Sequence, residues 1–353
     1  MLKFKSIFSV PSLIICLYLI VFLISCNKEN SVNPISEEQG FDSARFIWTY
    51  DTIMYDSYTD DLWVPDTNNI FVLNSMNNHL VRLNNGIKYR YEFGNKARMF
   101  KMIGSDINNG YLFGTEINGN LYKPVVWKWT GNNFVELPTN LITKYTEEQA
   151  GLYISPSEMW LAGSNGVVLK YNGNDFTAYD LPDSLLMMRV FLDNQNVLKI
   201  LGVYYKNLES PMYFHIFKFE NNGWDLIYRD TIIRNSIGFD VLNHEIIGKG
   251  EGGIYTFDGQ NFHLLINYFH MLFIFAVDGV SLYNFIALGQ GSDITNMGFI
   301  FHWNGNKWSK EIEAANGEAG LYGKIKMVNE KYYVYISRPY GMNITNLFIG
   351  RKK

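Results

Sequence analysis

Apolar and polar residues alternate in short segments along most of the chain beyond residue 43, and the pattern recurs. Each repeat has an alternating run ending at an aromatic residue, a four-residue turn rich in Asn, Asp and Gly, and a second aromatic residue. The five copies are VVWKWTGNNFVEL (125–137), VVLKYNGNDFTAY (167–179), HIFKFENNGWDLI (215–227), GIYTFDGQNFHLL (253–265) and FIFHWNGNKWSKE (299–311). Such alternation is typical of β-strands, and these turn residues favour tight turns. Each copy therefore predicts a β-hairpin with two aromatic residues facing each other.

The spacing of these hairpins predicts the architecture. The first aromatic residues are 42, 48, 38 and 46 positions apart, and the second follows five positions later in every copy. These pairs are Trp129 and Phe134, Tyr171 and Phe176, Phe219 and Trp224, Phe257 and Phe262, and Trp303 and Trp308. Two further short strands precede each hairpin, most clearly in 151–176, where the innermost strand is predicted at 152–154. Four short antiparallel strands every 40–50 residues are typical of a β-propeller blade.

Two less regular units complete the ring. Residues 68–93 form a degenerate copy with Leu83 at the first aromatic position, and 323–352 supply three strands. The missing strand is available at 44–52, and its pairing with the last blade would remove two exposed sheet edges. We therefore predict one all-β propeller over 44–353, with seven four-stranded blades and a ring closed by strand 44–52. Six blades is the alternative, if either irregular unit is incomplete.

The third unit carries a family resemblance. MWLAGSNG (159–166), which runs into VLKYNG (168–173), resembles the blades of secreted bacterial propellers that are loosely related to the kelch and sialidase-like classes. The sialidase phrases F-R-I-P and S-x-D-x-G-x-x-W are missing, and 252–253 is the only Gly-Gly pair. The resemblance therefore implies a fold and little about activity.

The N-terminal residues predict export and attachment to a membrane. Lys3 and Lys5 precede an apolar run at 12–25, which ends in LISC (23–26). This stretch resembles a bacterial lipobox, which implies that a signal peptide (1–25) is removed and that Cys26 receives lipid, including fatty acyl chains such as palmitate. Two or three chains anchor a protein stably, since each buried methylene contributes about 0.8 kcal/mol. An uncleaved transmembrane anchor is the alternative.

The residues after the lipobox predict a flexible tether. Segment 26–43 is polar and irregular, and Asn27 stands where enterobacterial lipoproteins retained in the inner membrane have Asp. By that resemblance we expect a lipid-anchored protein of the bacterial cell envelope, at the outer membrane, facing either the periplasm or the surface. Cys16 lies in the predicted signal, so the mature domain would contain no disulfide and no cysteine-based site.

Composition narrows the classes of partner. The net charge is −4, and the sequence contains no run of Lys and Arg longer than the three residues 351–353. Nucleic acid is therefore not an expected partner. The partners that we expect are the membrane, through the lipid anchor, and a glycan or an envelope protein.

Candidate binding residues fall in loops of variable length on one face of the predicted propeller. The loop at 55–62 combines acidic and aromatic side chains, and three tyrosines elsewhere offer stacking surfaces; the set is Tyr55, Asp56, Tyr58, Asp60, Asp61, Tyr204, Tyr205 and Tyr340. Acids beside aromatic rings are able to bind a sugar or Ca²⁺, although the loop lacks the D-x-D-x-D-G spacing of calcium loops. A solvated loop and ordinary blade-packing tyrosines are the alternative. No catalytic residue, metal ligand or obligatory cofactor is predicted.

The sequence thus favours a non-enzymatic binding or scaffold protein for a glycan, a peptide or a protein. A glycoside hydrolase or polysaccharide lyase is the first alternative, and it requires acids at the channel mouth. The predicted inner strands at 100–104 and 189–193 carry few acids, which disfavours it. A structural part of an envelope assembly is the second alternative, and it predicts an exposed apolar patch.

Overall fold

The computed structural model describes residues 45–54, 61–119, 121–143, 148–163, 166–182, 185–204, 213–231, 236–250, 253–267, 271–291, 298–314, 322–328, 331–338 and 344–353. In these residues 28 strands form seven antiparallel sheets of four strands each, with no helix. The protein is a seven-bladed β-propeller. The six-blade alternative is wrong, because the irregular units at both ends are complete blades.

Blades 1 to 3 follow one another in chain order. Blade 1 contains β2 (Asp61–Trp63), β3 (Asn69–Asn74), β4 (His79–Asn84) and β5 (Ile87–Glu92). Blade 2 contains β6 (Ala97–Gly104), β7 (Gly110–Asn118), β8 (Leu121–Trp129) and β9 (Phe134–Leu137). Blade 3 contains β10 (Glu148–Ser155), β11 (Glu158–Gly163), β12 (Val167–Tyr171) and β13 (Phe176–Asp180). Strand β10 is longer than the predicted 152–154.

Blades 4 to 6 repeat this order. Blade 4 contains β14 (Leu186–Leu192), β15 (Leu198–Tyr204), β16 (Tyr213–Glu220) and β17 (Gly223–Thr231). Blade 5 contains β18 (Ser236–Leu242), β19 (Glu245–Gly250), β20 (Gly253–Phe257) and β21 (Phe262–Asn267). Blade 6 contains β22 (Met271–Ser281), β23 (Asn284–Gly291), β24 (Gly298–Trp303) and β25 (Trp308–Ala314).

Blade 7 joins the two ends of the domain. Its inner three strands are β26 (Tyr322–Val328), β27 (Lys331–Arg338) and β28 (Ile344–Lys352), and its outermost strand is β1 (Phe46–Met54). Strand β1 pairs antiparallel with β28 from Phe46 opposite Lys352 to Met54 opposite Thr345. The predicted closure by strand 44–52 is confirmed. The first strands of neighbouring blades contact one another around the ring, and the last of them, β26, contacts β2.

The repeated aromatic phrase forms the predicted hairpins. In all five copies the two aromatic residues are direct cross-strand partners. The ring centroids are 5.0 to 5.4 Å apart. In blade 3 the Oδ1 atom of Asn172 accepts hydrogen bonds from the backbone N–H groups of Asn174 and Asp175, and Gly173 has a φ of 96°. The recurring Asn and Gly are therefore explained by turn geometry.

The hairpin aromatics also join neighbouring blades. Trp129 of blade 2 is fully buried and lies 5.3 Å from Phe71 of blade 1, measured between ring centroids. Trp160 of blade 3 makes a similar contact of 4.8 Å with Phe219 of blade 4. The apolar cores accordingly lie between adjacent blades. Each blade is therefore stabilised by its neighbours.

One carboxylate fixes the closing strand. Glu311, on the outermost strand of blade 6, is only 9% exposed. Its oxygens accept hydrogen bonds from the backbone N–H groups of Arg45 and Phe46, at 2.9 and 3.0 Å, and from the Ser309 hydroxyl at 2.6 Å. These bonds satisfy donors at the start of β1, so Glu311 connects blade 6 to the strand that closes blade 7.

We expect Glu311→Ala to lower the free energy of unfolding by about 2 to 4 kcal/mol, because two hydrogen bonds from β1 to a charged group are lost. Urea unfolding followed by tryptophan fluorescence measures the change. Glu136→Ala, on the exposed surface of the outermost strand of blade 2, is the matched control and should change stability by less than about 0.5 kcal/mol. Equal losses in the two variants would contradict a closing role for Glu311.

Candidate functional site: the central channel

The seven first strands surround a cavity with a volume of about 380 Å³. Every described residue that lines this cavity belongs to β2, β6, β10, β14, β18, β22 or β26. Its charged side chains are Asp61, Lys101, Arg189, Asp240, Asp278, Lys324 and Lys326. A cavity of this size lies within the range of small-ligand sites, roughly 300 to 1,000 Å³, and it offers room for a short chain segment.

Asp61 is held between two lysines from the neighbouring blades. Its side chain is 1% exposed, and Oδ1 lies 2.7 Å from Nζ of Lys101 and 2.9 Å from Nζ of Lys324. Oδ2 accepts the backbone N–H of Met102 at 2.8 Å. Burial alone would raise the pKa of Asp61, but the two ammonium groups and the hydrogen bonds outweigh it and hold that pKa at about 2. Asp61 is therefore an anion at neutral pH, fixed in one position.

In the same group of ions, burial has the larger effect on the pKa of Lys101. Burial lowers its pKa to about 8, because the attraction of Asp61 is partly offset by repulsion from Lys324 and from Arg189. The repulsion from Arg189 is informative, because this residue lies two blades further round the ring. The cations of blades 2 and 4 therefore share one electrostatic environment.

A second group of ions lies at blades 4 and 5. Asp240 accepts a hydrogen bond from Nε of Arg189 at 2.9 Å through Oδ1, and one from Nζ of Lys249 at 2.9 Å through Oδ2. Burial acts to raise the pKa of Asp240, but the two cations lower it far below its usual range. The same carboxylate raises the pKa of Arg189. Asp240, like Asp61, is thus an ion-paired anion.

Asp278 of blade 6 differs from the other two carboxylates. Its Oδ2 accepts the backbone N–H of Met327 at 2.7 Å, and Nζ of Lys326 is 3.7 Å away. Lys326 is about half exposed, so it neutralises Asp278 weakly. Burial consequently raises the pKa of Asp278.

The sequence-predicted binding residues are only partly placed by the structure. Asp61 begins β2 and belongs to the channel, not to an exposed loop. Tyr204 ends β15, is half-buried, and stacks on His215 with ring centroids 5.4 Å apart, so the blade-packing alternative describes it better. The remaining candidates lie outside the described residues: Cys26, Tyr55, Asp56, Tyr58, Asp60, Tyr205 and Tyr340.

The channel ions other than Asp61 were missed because they belong to the least regular part of each repeat. The expectation that inner strands carry few acids overlooked the three aspartates of β2, β18 and β22. A signal was present nonetheless. Lys101, Arg189 and Asp240 pair with Phe113, Leu201 and Ile247, and each of these partners stands directly before a glycine. Aligning the blades on that apolar-Gly pair brings Lys101 and Arg189 into one column, because both lie 12 positions before it, whereas Asp240 lies 7 positions before Ile247.

Among the described residues, no three His, Cys, Asp or Glu side chains are grouped in a way that would hold a metal ion. No helix in the same residues has the length and apolar character needed to cross a membrane.

Comparison with known proteins establishes the fold class. No protein-family model matches the chain, and no curated protein matches it in sequence. Among solved structures, YCF48 bound to D1 peptide superimposes with a TM-score of 0.64 at 10% identity, covering 91% of this chain and 97% of that one. YCF48 from Cyanidioschyzon merolae gives a TM-score of 0.60 at 13% identity, covering 85% and 98%.

A third solved structure is an enzyme. Catalytically inactive virginiamycin B lyase from Staphylococcus aureus with quinupristin gives a TM-score of 0.56 at 13% identity, covering 86% of this chain and 99% of that one. At these identities the likeness concerns the fold alone. A shared fold does not fix a function, so the role of this chain must be argued from its own residues.

We expect Asp61→Asn to destabilise the protein by about 3 to 5 kcal/mol, because Lys101 and Lys324 would lose the anion between them. In the parent protein, the folded-state pKa of Asp61 lies below its ordinary value of 3.8. Its ion pairing is therefore complete above about pH 4 and is lost as the pH falls towards 2, a change of about 2 kcal/mol that the variant should lack.

Urea unfolding at pH 7 and at several acidic values measures both effects. Asp225→Asn, on an exposed part of β17, is the matched control. Adding Lys101→Met to Asp61→Asn should recover part of the lost stability, because it removes one of the two buried cations that no longer have Asp61 between them. Equal stability of the two single Asn variants would contradict the role assigned to Asp61.

Proposed function

We propose that the protein is a lipid-anchored, non-enzymatic binding propeller of the bacterial cell envelope, and that it receives a peptide segment of a partner protein in its central channel. The observation that carries the proposal is the ring of fixed ions around the 380 Å³ cavity. Charged groups held in place by their neighbours recognise polar segments with little ordering cost. One solved propeller of similar fold is bound to a peptide, which is consistent with this use of the fold.

The state of the carboxylates favours binding over hydrolysis. A glycosidase or lyase needs a carboxyl group free to take a proton or to attack. Asp61 and Asp240 are each engaged by two cations, and both have a lowered pKa, so they are weak bases. Asp278, whose pKa is raised, is the one observation that favours an enzyme.

The assembly alternative finds less support. Exposed large apolar side chains on the outermost strands include Ile47, Ile87, Val135, Leu226 and Ile227. They are spread over blades 7, 1, 2 and 4, and single apolar residues on a surface are ordinary.

Selection of a random displayed peptide library on the full-length chain, in parallel with a glycan array, tests the proposed function. We expect peptides, rather than glycans, to be enriched. Lys326→Glu, which reverses a charge at the half-exposed edge of the cavity, should weaken their binding about tenfold or more. Lys307→Glu, in the β24–β25 turn, is the matched control and should leave it unchanged. Saturable glycan binding without peptide enrichment would overturn the proposal.

The lipid anchor is tested separately, with the second cysteine as an internal control. In a bacterial host given labelled palmitate, we expect label on the parent protein and on Cys16→Ser, and none on Cys26→Ser. The mass of the mature chain should correspond to removal of residues 1–25. Label that survives Cys26→Ser, or a chain that retains its first 25 residues, would contradict lipidation at Cys26.

A further inference from the structure

The charges of the channel are unevenly distributed around the ring. The described acids of the cavity come from blades 1, 5 and 6, whereas blades 2 and 4 contribute Lys101 and Arg189. Between these two cations, the residues of blade 3 that the structure describes in the cavity wall are Ala150 and Gly151. In this sector Lys101 and Arg189 therefore stand on either side of two small residues.

Gly151 is fitted to this arrangement. A β-carbon at this position would lie 2.8 Å from Cγ2 of Ile103 and 3.2 Å from Cγ of Lys101. A side chain here would thus press on Ile103 and Lys101, so glycine at this position lets β10 pack closely against blade 2. Gly151 itself forms part of the cavity wall between the two cations.

The charges around this sector repel an added cation and attract an added anion. Lys101 is repelled by Lys324 and by Arg189, and among the described residues Asp61 is the carboxylate that pairs with both Lys101 and Lys324. An added carboxylate near Lys101 would relieve both repulsions, while an added ammonium group would increase them. Asp240 and Asp278 lie on blades 5 and 6, on the other side of Arg189 from this sector.

Building on the proposed function, we infer that the channel binds a carboxylate of the partner peptide, between Lys101 and Arg189 and over Gly151. Both an acidic side chain and a C-terminal carboxylate have this chemistry. The cavity of about 380 Å³ limits the inserted part to a chain end or a short loop. Charge-assisted hydrogen bonds from an ammonium and a guanidinium group would then fix its orientation.

The site also predicts a pH dependence. Among the described residues, the charged groups that act on Lys101 are Asp61 of β2, Lys324 of β26 and Arg189 of β14. Because the pKa of Lys101 is about 8, its ammonium form is dominant at pH 7 and scarce at pH 9. If binding requires that form, the affinity should fall about tenfold between these pH values.

Synthetic peptides of one Gly-Ala sequence provide the test, measured by calorimetric titration of the full-length chain. One carries an internal Glu and an amidated C-terminus, one carries a free C-terminal carboxylate, and one carries neither. We expect at least one carboxylate-bearing peptide to bind about tenfold more tightly than the neutral one at pH 7, and to lose that advantage at pH 9 and in high salt. The first two peptides distinguish a side-chain carboxylate from a terminal one.

Variants locate the site. Lys101→Met should abolish the preference for the carboxylate, and Lys307→Met should preserve it. If Lys101→Met fails to fold, the pH series on the parent protein still decides the question. Equal binding of charged and neutral peptides would overturn this inference while leaving the proposed peptide-binding function intact. Absence of binding by these peptides and by every library-selected peptide would overturn both.

Discussion

Closure of the ring by β1 is the constraint on which the rest of this structure depends. The blades pack against one another in sequence, and the central cavity exists only when all seven first strands face a common axis. Strand β1 is separated from β28 by nearly the whole domain, yet the two pair along eight register positions. Glu311 adds hydrogen bonds from blade 6 to the same strand. The charged site therefore depends on contacts made at the rim of the molecule.

Local interactions explain why the architecture was predictable from sequence. An aromatic pair such as Tyr171 and Phe176 is joined by a turn of four residues, so its geometry is encoded within one short segment and repeats with it. The channel charges obey a different rule. Asp61 meets Lys101 and Lys324, which are 40 and 263 positions away. A pairing of this kind follows from the ring order of the blades and not from any local pattern, so the repeats could indicate positions of channel charges but not which of them pair.

The electrostatics of the channel explain why the same fold is compatible with different functions. Seven first strands bring seven chain segments to one axis, and a single substitution on any of them changes the charge of the cavity. In this chain, two carboxylates are each shared by two cations, which suppresses their reactivity and fixes their position. Fixed ions are suited to recognition, whereas catalysis requires a group whose proton or lone pair remains available.

The topology of β1 also relates the proposed anchor to the proposed site. In an antiparallel four-stranded blade the outermost strand begins on the side of the last hairpin and ends on the side of the connection to the next blade. The chain before Arg45 therefore joins the domain at the rim, on the face that carries the Asn- and Gly-rich turns. With lipid at Cys26, the predicted flexible tether would meet the domain on that face. It would therefore leave the opposite face, with the interblade connections that lead into the first strands, unobstructed for a partner.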